Sequence, residues 1–302
     1  SMKLLFNTFI TKVIPCLPLF MIRSIAGRYI AGETTQDALR IAKDLNGKGF
    51  CVTLDILGEH TKDENMAEEI TNDYHNLLLA INKQNLDCNL SIKPSHIGLD
   101  INSECIDTNM SKLINTAKNY DNFIRIDMED SSATDKTISL FHHFNNNNNN
   151  LGIVLQAYLI RTENDFESLK NIENLNIRLC KGIYREPSTV AIQDRKMINQ
   201  NFMKLLRIAF ENNIYVGIAT HDLFIIKESY KLITDLKIPK DRFEFQVLYG
   251  VPMSGWLEKH LKNNFKVRVY IPFGIDWYAY SIRRLKENPN IAGYILKDLF
   301  RR

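Results

Sequence analysis

The chain of 302 residues is 45% hydrophobic and 24% charged, which is ordinary for a soluble globular protein with one large domain or two small ones. Its formal net charge of +3 is too small to indicate a nucleic-acid partner. The five cysteines are scattered and include no CxxC pair, so we expect reduced thiols in a cytoplasmic protein.

The N-terminal segment, residues 1–45, is predicted to form helices that pack on the domain built by residues 46–302. Its apolar stretch KLLFNTFITKVIPCLPLFMI is interrupted by Lys12, Pro15 and Pro18. No uninterrupted apolar run of about 18 residues occurs anywhere, so a membrane-spanning helix is not expected. A peripheral contact with the inner membrane stays open as an alternative to packing on the domain.

Eight β-rich runs alternate with amphipathic helical stretches along the rest of the chain. The runs cover residues 49–57, 88–95, 123–130, 152–159, 176–184, 215–222, 243–251 and 266–274. Regular alternation predicts a parallel sheet with crossover helices, and eight repeats predict a closed (β/α)₈ barrel. An open doubly wound sheet is the alternative, although the chain lacks the glycine-rich phosphate loop that usually accompanies one. The run NNNNNN at 145–150 precedes the fourth strand, so we expect a loop without a catalytic role.

Polar side chains follow or occupy seven of these runs near their carboxyl ends. They are Lys93, Asp127, Glu129, Asp130, Gln156, Arg178, Lys181, Tyr184, Thr220, His221, Asp222, Gln246, Arg268 and Tyr270. Burying such groups in an ordinary core costs several kcal/mol each (about 3–5) unless they are paired or contact a ligand. Active sites of (β/α)₈ barrels form at this end, so the ring is predicted to be functional.

The stretch YAYSIRRLKE, at 278–287, is predicted to be the helix after the eighth strand. Tyr280, Arg283, Arg284 and Glu287 share one face of that helix by their spacing. A solvated stripe with an internal ion pair would explain this pattern on an ordinary surface helix. Above a polar ring, however, two adjacent guanidinium groups are suited to hold an anionic group of a substrate.

Several motifs in this order resemble the proline dehydrogenase family, in its short single-function bacterial form. The matching segments are SIKPSHIGL, FIRIDMEDS, LQAYL, RLCKGIYREP, ATHD, FEFQVLYGV and VYIPFGIDWYAYSIRRLKENP. The resemblance implies a distorted (β/α)₈ TIM-type barrel with extra N-terminal helices and bound FAD. It also implies oxidation of L-proline to 1-pyrroline-5-carboxylate, with hydride passing from ring carbon 5 to flavin N5 and electrons passing on to a quinone.

The resemblance assigns roles by position. Asp127, beneath the substrate, and Arg178, near the reactive flavin nitrogen, would be the catalytic residues. The proline site would comprise Lys93, Tyr184, Leu248, Tyr270, Tyr280, Arg283, Arg284 and Glu287. The FAD site would comprise Met128, Gln156, Arg178, Lys181, Gly182, Ile183, Thr220 and His221. Ile183 departs from the family, which usually has alanine there. A pairing of Asp127 with Lys93 is one way to balance the charges of this region.

Other functions stay open on the residues alone. Lys93 or Lys181 could form a Schiff base in an aldolase-like barrel. The DMED segment and His221 could bind Mg²⁺ or Mn²⁺. A phosphate-binding barrel without catalysis would also use the region of the eighth strand, and a scaffold without a ligand is the remaining class.

Overall fold

A computed structural model describes residues 19–145 and 149–287 of the chain. Its eight strands are β1 (Cys51–Ile56), β2 (Cys88–Ile92), β3 (Ile124–Ile126), β4 (Leu151–Gln156), β5 (Asn176–Cys180), β6 (Tyr215–Ala219), β7 (Phe243–Leu248) and β8 (Val267–Phe273). Each strand pairs in parallel with the next, and β8 pairs with β1. The predicted closed (β/α)₈ barrel is therefore confirmed, and the open sheet is wrong.

The helices of the described residues are α1 (Leu19–Ala26), α2 (Thr35–Gly47), α3 (Glu64–Lys83), α4 (Ser103–Asn119), α5 (Thr134–Asn145), α6 (Thr162–Leu169), α7 (Arg195–Glu211), α8 (Leu223–Asp235), α9 (Trp256–Lys262) and α10 (Trp277–Glu287). All eight strands are shorter than the predicted runs. The polar residues at the ends of those runs leave the sheet and enter the loops at the carboxyl ends of the strands, which we call the mouth of the barrel.

Side chains alternate between the two faces of each strand, and this barrel separates polar from apolar residues by that alternation. The outer faces carry buried apolar residues that pack under the helices, as Leu54, Ile126 and Ile218 do. The inner faces carry a polar set: Thr53, Asp55, Asn89, Ser91, Arg125, Asp127, Gln156, Asn176, Arg178, Tyr215, Glu244, Gln246, Arg268 and Tyr270. The apolar core therefore lies between sheet and helices, and the polar interior leads to the mouth.

Acidic or amide residues begin several of the helices that follow the strands. Asp63, Asn102 and Asp194 accept hydrogen bonds from backbone N–H groups in the first turns of α3, α4 and α7. These side chains satisfy donors that a helix leaves open at its N-terminus. Asp222 does the same for α8, accepting from the N–H of Phe224 at 3.0 Å.

The helix α1 packs on α10, the helix that carries the arginine pair. Ile22 and Ala26 share a buried cluster with Trp277. The indole N–H of Trp277 donates to Glu33 at 3.0 Å, and Glu33 also accepts from Arg23 at 2.9 Å. The arginine helix is thus held from the N-terminal side of the chain. The domain boundary at residue 45 stays a prediction.

Three further features bear on the sequence-based expectations. Within the described ranges, 19–145 and 149–287, none of the helices combines the length and the apolar character that crossing a membrane requires. The four described cysteines (Cys51, Cys88, Cys105 and Cys180) are free thiols, as predicted. Asn145 ends α5, and residues 149–150 precede β4 at the end of the barrel opposite the mouth, whereas residues 146–148 of the asparagine run lie outside the described part.

We expect Gly152→Ala to lower the free energy of unfolding by about 1–3 kcal/mol, because the added methyl group overpacks the barrel interior. A Cβ at Gly152 would lie 2.4 Å from Arg125 Nη1 and 2.7 Å from the backbone oxygen of Asn176. Equilibrium unfolding in urea measures this loss. Gly47→Ala is the matched control, because a Cβ at Gly47 meets nothing within 4 Å. Equal stability of the two variants would contradict the packing argument.

Candidate active site

A cavity of about 690 Å³ opens at the mouth of the barrel. It is lined by every residue that the resemblance assigns to the catalytic, proline or FAD site except Glu287, whose side chain lies outside the described part: Lys93, Asp127, Met128, Gln156, Arg178, Lys181, Gly182, Ile183, Tyr184, Thr220, His221, Leu248, Tyr270, Tyr280, Arg283 and Arg284. Strands on all sides of the barrel contribute. A single cavity thus brings together residues that are spread over almost 200 positions of sequence.

The floor of the cavity contains a buried ion pair between Asp55 and Lys93. The Lys93 ammonium donates to Asp55 Oδ2 at 2.8 Å, and the Tyr270 hydroxyl donates to the same oxygen at 2.7 Å. The Tyr74 hydroxyl lies 3.2 Å from Asp55 Oδ1. Three donors converging on one carboxyl group suit a carboxylate rather than a carboxylic acid. Lys93 is therefore paired with Asp55, and not with Asp127, the pairing suggested above as one way to balance the charges.

The ionisation of Lys93 follows from its neighbours. Burial alone would lower its pKa, but the carboxylates of Asp55 and Asp127 outweigh burial and hold the pKa of Lys93 above its ordinary value. Burial raises the pKa of the Asp55 carboxyl, an effect that Lys93 opposes. Because the two groups lie 2.8 Å apart with further donors on the carboxyl, we describe them as ammonium and carboxylate.

Asp127 pairs with Arg178 on the other side of the floor. Arg178 Nη1 donates to Asp127 Oδ1 at 2.6 Å, and the Ser91 hydroxyl donates to the same oxygen at 2.9 Å. The guanidinium carbon of Arg178 also lies 5.2 Å from the centre of the Tyr270 ring, within the range of a cation–π contact. Asp127 is 9% exposed and Arg178 is 7% exposed, so solvent screens this pair weakly.

The Tyr270 hydroxyl joins the two ion pairs. Its oxygen lies 2.7 Å from Asp55 Oδ2 and 3.1 Å from Asp127 Oδ2. Burial and the two flanking carboxylates raise its pKa well above the usual value, so it keeps its proton. We call Asp55, Lys93, Asp127, Arg178 and Tyr270 the floor network. It contains two cations, two anions and one phenol, and is therefore charge-balanced.

The two arginines of α10 lie at the opening of the cavity against aromatic rings. The guanidinium carbon of Arg283 lies 5.8 Å from the centre of the Tyr184 ring. That of Arg284 lies 5.3 Å from the centre of the Tyr280 ring, and Arg284 is only 8% exposed. The solvated stripe that was the alternative for this helix face is therefore wrong. Both guanidinium groups therefore lie beside aromatic rings at the edge of the cavity, and a guanidinium group is suited to bind a carboxylate or phosphate.

Asp222 organises the wall of the cavity formed by β5 and β6. It accepts hydrogen bonds from Lys181 at 2.8 Å and from Asn199 and Arg195 at 3.2 Å each. Burial would raise the pKa of Asp222, but the bonds from Lys181 and Asn199 outweigh it and hold the pKa well below its ordinary value. Asp222 therefore stays ionised and orients two cations at the cavity edge.

His221 is a neutral acceptor in this wall. Its Nε2 accepts a hydrogen bond from the backbone N–H of Leu248 at 3.0 Å. Burial, assisted by the nearby Arg284 charge, lowers the pKa of His221 to about 4. The group of possible metal ligands in the described ranges is Glu59, His60 and Glu129, so it does not include His221. A metal centre built from DMED and His221 has no support in this geometry.

Sequence reasoning missed some lining residues and included others that lie elsewhere. The missed ones are Asp55, Val154, Cys180, Arg195, Ala219 and Val247. Asp55 could have been found, because it alternates with Thr53 on the inner face of β1. Glu129 turns to Ser95, accepting from its backbone N–H at 2.9 Å, and Arg268 pairs with Glu244 at 2.7 Å deeper in the barrel. Neither of these two lines the cavity, and Asp130 of the predicted ring does not line it either.

Comparisons with known proteins agree with this arrangement. A family model described as proline dehydrogenase matches residues 38–295. Proline dehydrogenase 1 of Bacillus subtilis subsp. natto is 36% identical over 278 residues, and the match covers 92% of this chain and 91% of that protein.

The chain belongs to the proline dehydrogenase family.

Proline dehydrogenase of Deinococcus radiodurans is likewise 36% identical, with 92% of this chain and 91% of that protein covered. Proline utilization A from Bdellovibrio bacteriovorus shares the fold, with a TM-score of 0.79 at 24% identity over 88% of this chain. The match spans 33% of that longer chain. Membership of the proline dehydrogenase family makes this protein an oxidoreductase.

We expect Asp55→Asn to lower the pKa of Lys93 by about 1–3 units, because burial then acts on the ammonium without its closest carboxylate. The pH titration of ¹³C-dimethylated lysines by NMR measures this change. The matched control is Asp44→Asn, since Lys48 and Asp44 form a pair with the same 2.8 Å separation on the surface, with each side chain 61% exposed. The pKa of Lys48 should change much less. Equal changes at the two lysines would contradict the role of burial.

Proposed function

We propose that this chain is an FAD-dependent proline dehydrogenase that oxidises L-proline to 1-pyrroline-5-carboxylate, the first step of proline breakdown to glutamate. The main support is the position of Arg283 and Arg284 at the opening of a cavity whose floor is charge-balanced. The floor therefore needs no ion from the ligand, whereas the arginines can bind one. The match to the proline dehydrogenase family supplies the substrate class.

The charge of the cavity favours anionic ligands. Its lining includes six basic residues, Lys93, Arg178, Lys181, Arg195, Arg283 and Arg284, against three acidic ones, Asp55, Asp127 and Asp222. His221 adds no charge at neutral pH because its pKa is lowered to about 4. A cationic excess in a partly dry cleft attracts carboxylate and phosphate groups. Proline carries the first group and FAD carries a diphosphate.

The residues present fit FAD by their chemistry. Lys181 and Arg195 provide cations suited to a diphosphate, and Val154, Cys180 and Val247 provide apolar surface suited to a flat ring system. In this proposal the cofactor is held by Met128, Gln156, Arg178, Lys181, Gly182, Ile183, Thr220 and His221. Bound FAD would supply, at N5, the acceptor for the hydride from ring carbon 5 of proline, and Arg178 would be the cation near N5 that favours the reduced form.

The proline carboxylate is assigned to Arg283, Arg284 and Lys93. Two planar guanidinium groups can each form paired hydrogen bonds with a carboxylate. The pyrrolidine ring is assigned to the walls formed by Tyr184, Leu248, Tyr270 and Tyr280, and Glu287 is assigned to steady the arginines. Aromatic and apolar walls restrict the ring to one orientation and exclude water, which favours the reactive geometry.

The floor network favours binding of the substrate amine in its neutral form. Asp55 is already paired with Lys93, and Asp127 is already paired with Arg178. A protonated substrate amine would be repelled by the cations nearby, and neither carboxylate of the floor network is left unpaired to offset that repulsion. A neutral nitrogen keeps the lone pair that becomes the second bond of C=N as the hydride leaves carbon 5.

Ile183 is proposed to narrow the site at the position where the family usually has alanine. Its side chain is 41% exposed and lines the cavity beside Tyr184. An isoleucine there fills space next to the proposed ring site. We therefore assign to Ile183 a stronger preference for small cyclic substrates.

A quinone is the proposed acceptor of the electrons, in a cytoplasmic protein that contacts the membrane peripherally. Support comes from large apolar side chains that are exposed on segments following β4, β6 and β8, near the mouth of the barrel. Ile160 is 57%, Phe224 54% and Ile275 78% exposed. Exposed apolar groups around an active-site opening suit a hydrophobic acceptor or a lipid surface.

A Schiff-base enzyme is the second candidate within catalysis, and the ion pairs argue against it. A lysine must be neutral to attack a carbonyl group. The pKa of Lys93 is held above its ordinary value, and Lys181 pairs with Asp222 at 2.8 Å. Borohydride trapping with a carbonyl substrate should therefore leave both lysines unmodified.

We expect purified protein supplied with FAD to be yellow and to lose its visible flavin absorbance when L-proline is added without oxygen. Glycine and D-proline are the controls, and neither should bleach the flavin. The absorbance spectrum before and after addition measures the reaction. A protein that stays colourless with FAD, or that glycine bleaches equally, would refute the proposed function.

We expect Arg283→Lys and Arg284→Lys each to raise the KM for L-proline about 10–100-fold, because lysine loses the paired hydrogen bonds that a guanidinium forms. Bound flavin should be retained. The control is Arg161→Lys, because Arg161 donates to Asp165 and Asp135 outside the cavity. Steady-state kinetics measures the effect, and an unchanged KM in both arginine variants contradicts the carboxylate assignment.

A further inference from the structure

A second polar layer lies directly below the floor network and contains a buried glutamate. Glu244 is 2% exposed and accepts hydrogen bonds from residues on both neighbouring strands and on its own. Arg268 donates through Nε at 2.7 Å and through Nη2 at 3.2 Å, and the Tyr215 hydroxyl donates at 2.9 Å. Gln246 Nε2 donates to Glu244 Oε1 at 2.6 Å. Glu244 itself does not line the cavity.

Gln246 connects this layer to the cavity. Its Oε1 accepts a hydrogen bond from Arg178 Nε at 2.5 Å. The orientation of the amide follows from chemistry, because an ionised Glu244 can only accept and Arg178 can only donate. Its NH₂ end must therefore face down to Glu244, and its oxygen must face up to Arg178. With Nε held by Gln246, Arg178 directs Nη1 to Asp127 at 2.6 Å and to Ser91 at 3.0 Å.

Glu244 is suited to this role because it stays ionised. Burial would raise its pKa, but the charge and hydrogen bonds of Arg268, together with bonds from Gln246 and Tyr215, lower it to about 2. Arg125 on β3 is the other charged group facing this layer. A carboxylate that never protonates near neutral pH keeps the Gln246 amide in one orientation.

Gly217 on β6 makes room for this connection. Its strand position is paired with Glu244, and its inner face carries no side chain. A Cβ at Gly217 would lie 2.4 Å from Gln246 Nε2 and 2.7 Å from the amide carbon. The space that an ordinary residue would occupy is therefore filled by the amide that links the two layers.

We propose that Glu244 is a positioning residue for the reaction. It acts through Gln246 to hold the Arg178 guanidinium in the orientation that directs Nη1 to Asp127 and Ser91 at the cavity floor. The effect of Arg178 on the flavin rests on the proposed function. The orientation of Arg178 by Gln246 and Glu244 does not depend on that function. The competing explanation is that the lower layer only stabilises the barrel.

Two variants test the connection without removing the buried charge. Gln246→Met keeps the length of the side chain and removes both hydrogen bonds. Gly217→Ala removes no polar group, but its added methyl group pushes the Gln246 amide out of its position. The direct change, Glu244→Gln, also takes the carboxylate from buried Arg268, so its first effect is on folding. Gly152→Ala is the matched control, because its methyl group overpacks the same interior against Arg125 and not against Gln246.

The first measurement uses the protein without FAD, labelled with [¹⁵Nε]-arginine. The Arg178 Nε–H signal, assigned by its absence in Arg178→Lys, should exchange slowly with solvent because its donor is buried and hydrogen-bonded. We expect exchange to be about 10-fold or more faster in Gln246→Met and Gly217→Ala, and unchanged in Gly152→Ala. Unchanged exchange in the first two variants overturns the positioning role, whatever the protein catalyses.

The second measurement uses the protein with FAD and L-proline. We expect kcat to fall about 10–100-fold in Gln246→Met and Gly217→Ala, with KM for proline changed less than about threefold, since a charge-assisted hydrogen bond is lost away from the carboxylate site. The midpoint potential of the bound flavin should become more negative, whereas Gly152→Ala should keep the parent values. A normal kcat and potential in both variants, or a rise in KM alone, overturns the inference. Failure of the unmodified protein to be bleached by proline refutes the proposed function instead.

Discussion

Two carboxylates and two cations are buried together beneath the mouth of this barrel, and a single phenol lies between them. Removing an ion from water is costly, and the cost is offset only when every partner is present with good geometry. Asp55, Lys93, Asp127, Arg178 and Tyr270 satisfy one another in this way. Loss of any one charged member leaves a buried charge without its partner. Because the floor network is neutral, the cationic excess of the cavity comes from the other lining residues, Lys181, Arg195, Arg283 and Arg284 against Asp222.

The polar interior also determines where the protein obtains its stability. Hydrogen bonds between buried polar groups contribute little net free energy to folding, because water offers the same bonds to the unfolded chain. The stabilising apolar contacts must therefore lie outside the sheet, where residues such as Leu54, Ile126 and Ile218 are completely buried. Glycines at positions 152 and 217 serve the interior in a different manner. They leave space in which a long polar side chain from another strand can lie.

Most of the fold could be predicted from the sequence, because eight strands that alternate regularly with helices are compatible with few topologies. The cavity members also followed, since polar residues recur at the carboxyl end of each strand. The ion-pair and hydrogen-bond partners of these residues could not be predicted. Alternation along a strand shows which face a side chain occupies, but not which residue it meets across a closed barrel. Lys93 meets Asp55 rather than Asp127, and Arg268 lies one layer too deep to reach the cavity. These relations depend on strand stagger, which no local pattern reveals.

The packing of α1 on α10 has a consequence for biosynthesis. All eight strands and the floor network are complete once the ribosome has released residues up to 273, whereas the arginine pair lies on the following helix. The barrel and its floor network can thus form in a nascent chain before α10 has been synthesised. Ile22 and Ala26 on α1 are synthesised early, but they can pack against Trp277 only after α10 has been made. The opening of the cavity can therefore be completed only after the sheet and the floor network have been synthesised.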